Sequence, residues 1–192
     1  MEYISNEEQV IFSGDIVAVL QKDVQIGEKV KRFERAVRAP GVRLIIDTGS
    51  GVIMNNEFRH ELGERDIRLP GGKVFDSLQE YLQAVENGMD MQAAAMSAAR
   101  IEAKEEVGLE SISLEFIDRL VCGATMKWDL FYFAVHDYVV DADHETGSVD
   151  HEIQGSREFT YQQSWDMCMA GEIQEGRSAI VLLRWLHDKM NK

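Results

Sequence analysis

Cysteine is nearly absent from this chain. Of 192 residues only Cys122 and Cys168 carry a thiol, and neither has a second ligand at metal spacing. A zinc ribbon and a disulfide framework are thereby excluded, and buried free thiols are the expectation. Basic runs are missing as well. Acidic residues outnumber basic ones 34 to 20, the formal charge is −14, and no uninterrupted lysine/arginine run exists to track a phosphate backbone. Polymeric nucleic acid is therefore disfavoured as a partner. Long hydrophobic stretches are lacking too: Phe131 to Val135 and Ala179 to Leu183 fall far short of the ~20 residues of a membrane span. The opening Met1-Glu2-Tyr3-Ile4-Ser5 has no basic-then-apolar signal pattern. The expectation is a cytoplasmic protein with no membrane partner, and no internal repeat or low-complexity tract complicates it.

What the chain does have is a cluster of carboxylates. Glu102, Glu105 and Glu106 stand at i, i+3 and i+4 in Ala98-Ala99-Arg100-Ile101-Glu102-Ala103-Lys104-Glu105-Glu106-Val107-Gly108-Leu109, a composition that favours helix. That spacing sets all three on one helical face. Two carboxylates ~5 Å apart repel by roughly 3 kcal/mol at an effective dielectric near 20. Such a face is either well solvated or holds a cation, and oxygen ligands select Mg²⁺, Mn²⁺ or Ca²⁺. Context favours the cation. Gly108 follows as a helix stop, Ala95, Ala98 and Ala99 allow close packing beneath, and a Leu69-Pro70-Gly71-Gly72 turn lies upstream.

A length of 192 residues accommodates one substantial core with a small extension. Strand patterns run through Asp15 to Lys22, Val30 to Val37 and Val42 to Ile46, with Gly27 and Pro40-Gly41 as turns. Gly51 to Arg59 reads as the next strand. Two helices are predicted at Leu78 to Glu86 and Met91 to Val107, divided at Asn87-Gly88. Strands resume at Ser113 to Val121 and at Asp129 to Val135, the second apolar enough for the middle of a sheet. Asp141 to Arg157, charged and without periodicity, reads as a long functional loop. Helices at Gln162 to Ala170 and Arg177 to Lys189 end the chain.

The acidic segment resembles the Nudix box, G-x5-E-x7-R-E-U-x-E-E-x-G-U with U aliphatic. Glu102, Ala103, Glu105, Glu106, Gly108 and Leu109 match its second half, and Gly72 its opening glycine. Ile101 replaces the arginine that in the family pairs with the box glutamates and orients them. The span from Gly72 to Ile101 is longer than in the family, so Val74 to Met91 contains an insertion, and Asp76, Glu80 and Glu86 all remain candidates for the early box glutamate. Three further segments are similar to the ADP-ribose pyrophosphatase branch of Nudix hydrolases: residues 31 to 42, Met54 to Arg59, and Gly171-Glu172-Ile173 with the final helix.

The resemblance implies a Nudix α/β/α sandwich with a mixed sheet, residues 42–192, preceded by a small antiparallel β extension, residues 1–41. It also implies a homodimer joined through that extension. Arg59 would hold a pyrophosphate oxygen or remain a strand-end arginine; Arg35, Arg38 and Arg43 are weaker substrate candidates for which surface salt bridges are the alternative. Glu102, Glu105 and Glu106 would hold Mg²⁺, with Mn²⁺ as a substitute. A late acidic loop residue would serve as base: Glu152 first, then Asp150 and His151. Phe75, Trp128 and Tyr132 are aromatic candidates for stacking on a base or ribose, with core packing favoured for Tyr132 and Phe75. The implied reaction hydrolyses the pyrophosphate of a nucleoside diphosphate linked to a sugar or ribose, ADP-ribose or a nucleotide sugar, to a nucleoside monophosphate and a sugar phosphate. The alternatives are a catalytically weak nucleotide-binding module, motivated by Ile101, and a Nudix pyrophosphatase for another nucleotide.

Overall fold

The computed structural model describes residues 3–5, 7–60, 63–110, 112–141 and 153–191, with the side chains of 3–5, 153 and 154 excepted. The N-terminal strands are β1 (Tyr3–Ser5), β2 (Gln9–Ser13), β3 (Val17–Ile26) and β4 (Lys29–Arg38). The core follows with β5 (Gly41–Asp47), β6 (Gly51–Arg59) and β7 (Glu64–Arg68), then helices α1 (Leu78–Glu86) and α2 (Met91–Val107). It continues through β8 (Leu109–Glu110), β9 (Ser113–Leu120), β10 (Met126–Lys127), β11 (Leu130–His136), β12 (Val139–Val140) and β13 (Ile153–Thr160). Helices α3 (Tyr161–Ala170) and α4 (Gly176–Met190) close the described chain.

The central sheet runs β13-β6-β5-β11-β9, with β7 also on β6. It is mixed, because β11 lies parallel to β5 while β9 and β13 pair antiparallel with their neighbours. Successive side chains of a strand point to opposite faces, and β5 shows this with both faces buried. Val42, Leu44 and Ile46 meet Phe131, Phe133, Val135 and the alanines of α2; Ile45 meets Tyr132, Ala134 and residues of α3 and α4 such as Met167, Leu182 and Leu186. The α/β/α sandwich expected from the resemblance is the architecture observed.

Helix α2 has the bounds predicted for it. Asp90 caps its start by accepting from the backbone N–H groups of Gln92 and Ala93, and Gly108 ends it in the left-handed conformation. Ala95, Ala99 and Ala103 are fully buried, so small side chains at the centre of the interface let this helix lie close to β5 and β11. The final turn of α2, carrying the glutamates, is thereby held close to the sheet.

The N-terminal sheet runs β1-β3-β4-β10, with β2 on β3. It is joined to the core where β10 pairs parallel with β4 and where α1 sets Leu78 and Tyr81 against Ala18 and Val37. The helix inside the insertion therefore packs on this sheet, with Phe75 against Tyr81. No helix among the described residues is long and apolar enough to cross a membrane.

Two expectations are corrected, and one strand is added. Residues 153–157, assigned to the long loop that begins at Asp141, belong to strand β13, which pairs with β6 and runs on to Thr160; its polar residues hide the periodicity, and backbone pairing supplies what side-chain pattern does not. Strand β7, with Ile67 as its one aliphatic residue, gave no signal either. Cys122 is exposed, whereas Cys168 is buried as expected.

Candidate functional site

The Pro70-Gly71-Gly72 turn is pinned beside the start of β5. Leu44 N–H donates to the Pro70 carbonyl at 2.8 Å, Val42 N–H to that of Gly72 at 3.0 Å, and Val74 N–H to that of Pro40 at 3.0 Å. The backbone requires glycine at Gly71, and at Gly72 the absence of a side chain leaves room for Glu102. Gly71 has φ +139°, and a Cβ there would lie 2.3 Å from the Val42 carbonyl oxygen. At Gly72 a Cβ would lie 2.1 Å from Glu102 Oε1, so the Glu102 carboxylate rests directly on the missing side chain.

Glu106, one helical turn after Glu102, meets the same turn. Its Oε2 accepts from the Gly71 N–H at 2.7 Å and from Asn55 Nδ2 at 3.0 Å. Burial pushes its carboxyl up to about 8; the Gly71 N–H opposes that rise, and the neighbouring Glu102 charge adds to it. The predicted acidic face thus resolves into a pair on the glycine turn. Glu105 is exposed and makes no hydrogen bond or ion pair among the described residues. Nor, among the described residues, do three or more Asp, Glu, His or Cys side chains gather there into a cluster able to enclose a metal ion. Any cation at the pair would complete its coordination with water or ligand oxygens, which is how Mg²⁺ is commonly held.

Beside the pair lies a network of buried charges that sequence reasoning did not assemble. Arg43, expected at the surface, is 7% exposed and donates to Glu175 at 2.8 Å and to its neighbour's carbonyl, that of Val42, at 2.8 Å. Burial alone would raise the Glu175 carboxyl; Arg43, with Arg68 and Ser178, holds it below its ordinary value. Arg68 also reaches Glu57 at 3.3 Å, and Glu57 is near enough to Glu106 to act on its charge. Arg59 is ion-paired to Glu57, so the predicted phosphate clamp belongs to the edge of this network. Asp66, whose Oδ1 is buried with no hydrogen-bond partner among the described residues, is pushed up by burial.

Other predicted residues lie elsewhere. Arg35 forks onto Glu8 within the N-terminal sheet. Asp76, Glu80 and Glu86 are exposed, and Glu80 accepts from the Asp76 N–H at the start of α1. Trp128 has the guanidinium groups of Arg38 and Arg177 over its ring, 4.6 and 4.3 Å from the centroid, so arginine occupies the stacking surface proposed for a base. Tyr132 is fully buried in the core. Glu152, Asp150 and His151 lie outside the described residues.

A cleft of about 250 Å³ opens between β6, β7 and β13, walled in part by Asn55, Asn56, Ile67 and Ser156. It is smaller than the ~300–1,000 Å³ of typical small-molecule sites. The glycine turn and its carboxylate pair, not cavity size, therefore mark the site. Asn55 and Ser156 were missed by sequence reading, although a polar residue at the centre of a strand with two buried faces is a usable signal.

No protein-family model matches the sequence, and a search of curated proteins finds no match. The structure is similar to a solved crystal structure of an ADP compounds hydrolase, with a TM-score of 0.73 and 14% identity, covering 98% of this chain and 96% of that one. At this identity the likeness is one of fold.

Proposed function

We propose that the protein hydrolyses the pyrophosphate bond of a nucleoside diphosphate linked to a sugar or ribose, with ADP-ribose and nucleotide sugars as the substrate class. The observation that carries this reading is the seating of Glu102 and Glu106 together on the Gly71-Gly72 turn. It is supported by the fold likeness to an ADP compounds hydrolase along nearly the whole chain.

The residues fit a divalent cation. Two carboxylates face one turn, one of them raised to about 8 by burial and by its neighbour, a charge arrangement that a cation relieves. Mg²⁺ or Mn²⁺, when bound, supplies charge neutralisation at the phosphates and lowers the pKa of a coordinated water. In this reading Glu102 and Glu106 hold the ion, and exposed Glu105 assists from the solvent side. Arg59 places its guanidinium on a phosphate oxygen, exchanging part of its pairing with Glu57. Water attacks one phosphorus in line and the other phosphate leaves, giving a nucleoside monophosphate and a sugar phosphate. Glu152 accepts the water proton, with Asp150 and His151 as the alternatives.

The test is incubation of the purified protein with Mg²⁺ and ADP-ribose, GDP-mannose, UDP-glucose or nucleoside triphosphates, following monophosphate release. Turnover confined to the sugar-linked diphosphates is the expected result. Turnover confined to triphosphates assigns another nucleotide. Tight binding without turnover assigns the binding module, the reading that exposed Ile101 favours by leaving the box without its arginine.

A further inference from the structure

Ile101 is 56% exposed, so α2 contributes an apolar side chain where an orienting cationic group would stand. Glu106 is nevertheless fixed. Its donors come from two other parts of the fold: the Gly71 backbone on the turn and the Asn55 side chain on β6. Both bonds fall on Oε2, and among the described residues Oε1 takes no hydrogen bond. A carboxylate fastened through one oxygen presents the other in a set direction, which is what a coordinating group needs.

The orientation of Asn55 is itself determined. Its Oδ1 accepts from the Ser156 hydroxyl at 2.6 Å, which leaves Nδ2 as the end that faces Glu106. Asn55 is 2% exposed, and Ser156 stands directly opposite it in the β6–β13 ladder. The relay Ser156 to Asn55 to Glu106 is therefore built across adjacent strands, with no water needed to complete it. Asn55 is neutral, so it orients the carboxylate without offsetting its charge, and the demand for a bound cation is left intact.

We propose that Asn55, set in place by Ser156, is the positioning residue that aims Glu106 at a divalent cation, doing from β6 what α2 cannot do through Ile101. This rests on the cation-dependent reading of the site. The decisive measurement is Mn²⁺ binding to the purified protein without nucleotide, followed by electron paramagnetic resonance, together with kcat and KM for ADP-ribose at saturating Mg²⁺.

Asn55→Leu removes the donor at similar volume. It is expected to weaken Mn²⁺ binding about tenfold or more, the usual size of loss when a group that orients a ligand is removed. It should lower kcat in parallel while KM for ADP-ribose stays within about twofold. Ser156→Ala, which keeps Asn55 but frees its amide, should give a smaller loss in the same direction, and it decides the matter if Asn55→Leu does not fold. A folded Asn55→Leu with lower thermal stability but unchanged Mn²⁺ affinity would show a purely structural residue and overturn the proposal. Wild-type binding and turnover with both variants matching it would overturn the positioning role alone. Wild-type protein that neither binds Mn²⁺ nor hydrolyses ADP-ribose would overturn the functional reading along with it.

Discussion

Gly72 and Glu106 make opposite demands on their surroundings, and each can be tested separately. Gly72 needs empty space, because its missing side chain is where Glu102 rests. Gly72→Ala introduces no positive-φ strain, and its Cβ meets only the end of a flexible side chain, so Glu102 swings away and the fold survives. Turnover is expected to fall ~10²-fold, the usual loss when an electrostatic contact to the reacting centre is displaced, with unfolding by urea nearly unchanged. Glu106 instead carries a proton well into the neutral range. A carboxyl raised to about 8 when folded, against its ordinary 4.5, binds more protons in the native state than in the unfolded state between those values. It therefore stabilises the metal-free protein fully below pH 4.5, and that stability is lost as pH rises through 8. Melting temperature measured from pH 5 to 8.5 should fall more steeply for wild type than for Glu106→Gln, and saturating Mg²⁺ should reduce the difference. Equal slopes would remove Glu106 as the titrating group. At this scale the helical spacing of Glu102 and Glu106 was legible in the sequence, and Gly72 through the Pro70-Gly71-Gly72 turn. The sequence hid Asn55, Ser156 and the Arg43–Glu175 pair, which meet only through strand pairing and the packing of α4.

Helices were more legible than strands for a physical reason. A helix announces itself through contiguous propensity and its caps, and α1 and α2 have the predicted bounds, with Ser77 and Asp90 as N-caps and Gly108 as the stop of α2. Edge strands such as β7 and β13 depend on β6 for their hydrogen bonds, and nothing in their own alternation reveals it. The insertion was visible by length, but not its partner. Its α1 joins the N-terminal sheet through Leu78, 4% exposed, and Tyr81, 5% exposed. Leu78→Ala is expected to cost about 2–5 kcal/mol, as for buried leucines generally, read by urea unfolding. KM for ADP-ribose should hold, because the buried side chains of α1 pack on the N-terminal sheet. A rise in KM at intact stability would move α1 from support to substrate binding.

At the level of the whole molecule, the N-terminal sheet shows apolar residues that the described chain does not cover. Val10 is 59% exposed, Phe12 58%, Val30 65% and Phe33 47%; Val30 and Phe33, three residues apart on β4, point to opposite faces of the sheet, so each face offers apolar surface to a partner. The resemblance implies that this extension joins two copies of the chain, which the net charge of −14 would oppose unless apolar contact prevailed. Light scattering should then report a dimer at physiological salt. Phe33→Glu places a charge on the exposed part of β4 without touching the core, and it should shift the protein to monomer with its melting behaviour otherwise preserved. The same variant tests the role expected for Arg35, two residues along that strand, which among the described residues is ion-paired with Glu8. If Arg35 completes the site of the opposite copy, the monomer keeps Mn²⁺ affinity, which depends on Glu102 and Glu106, but loses turnover of ADP-ribose through KM. A monomer as active as the dimer removes Arg35 from the site, and a wild-type protein that scatters as a monomer removes the second copy as well.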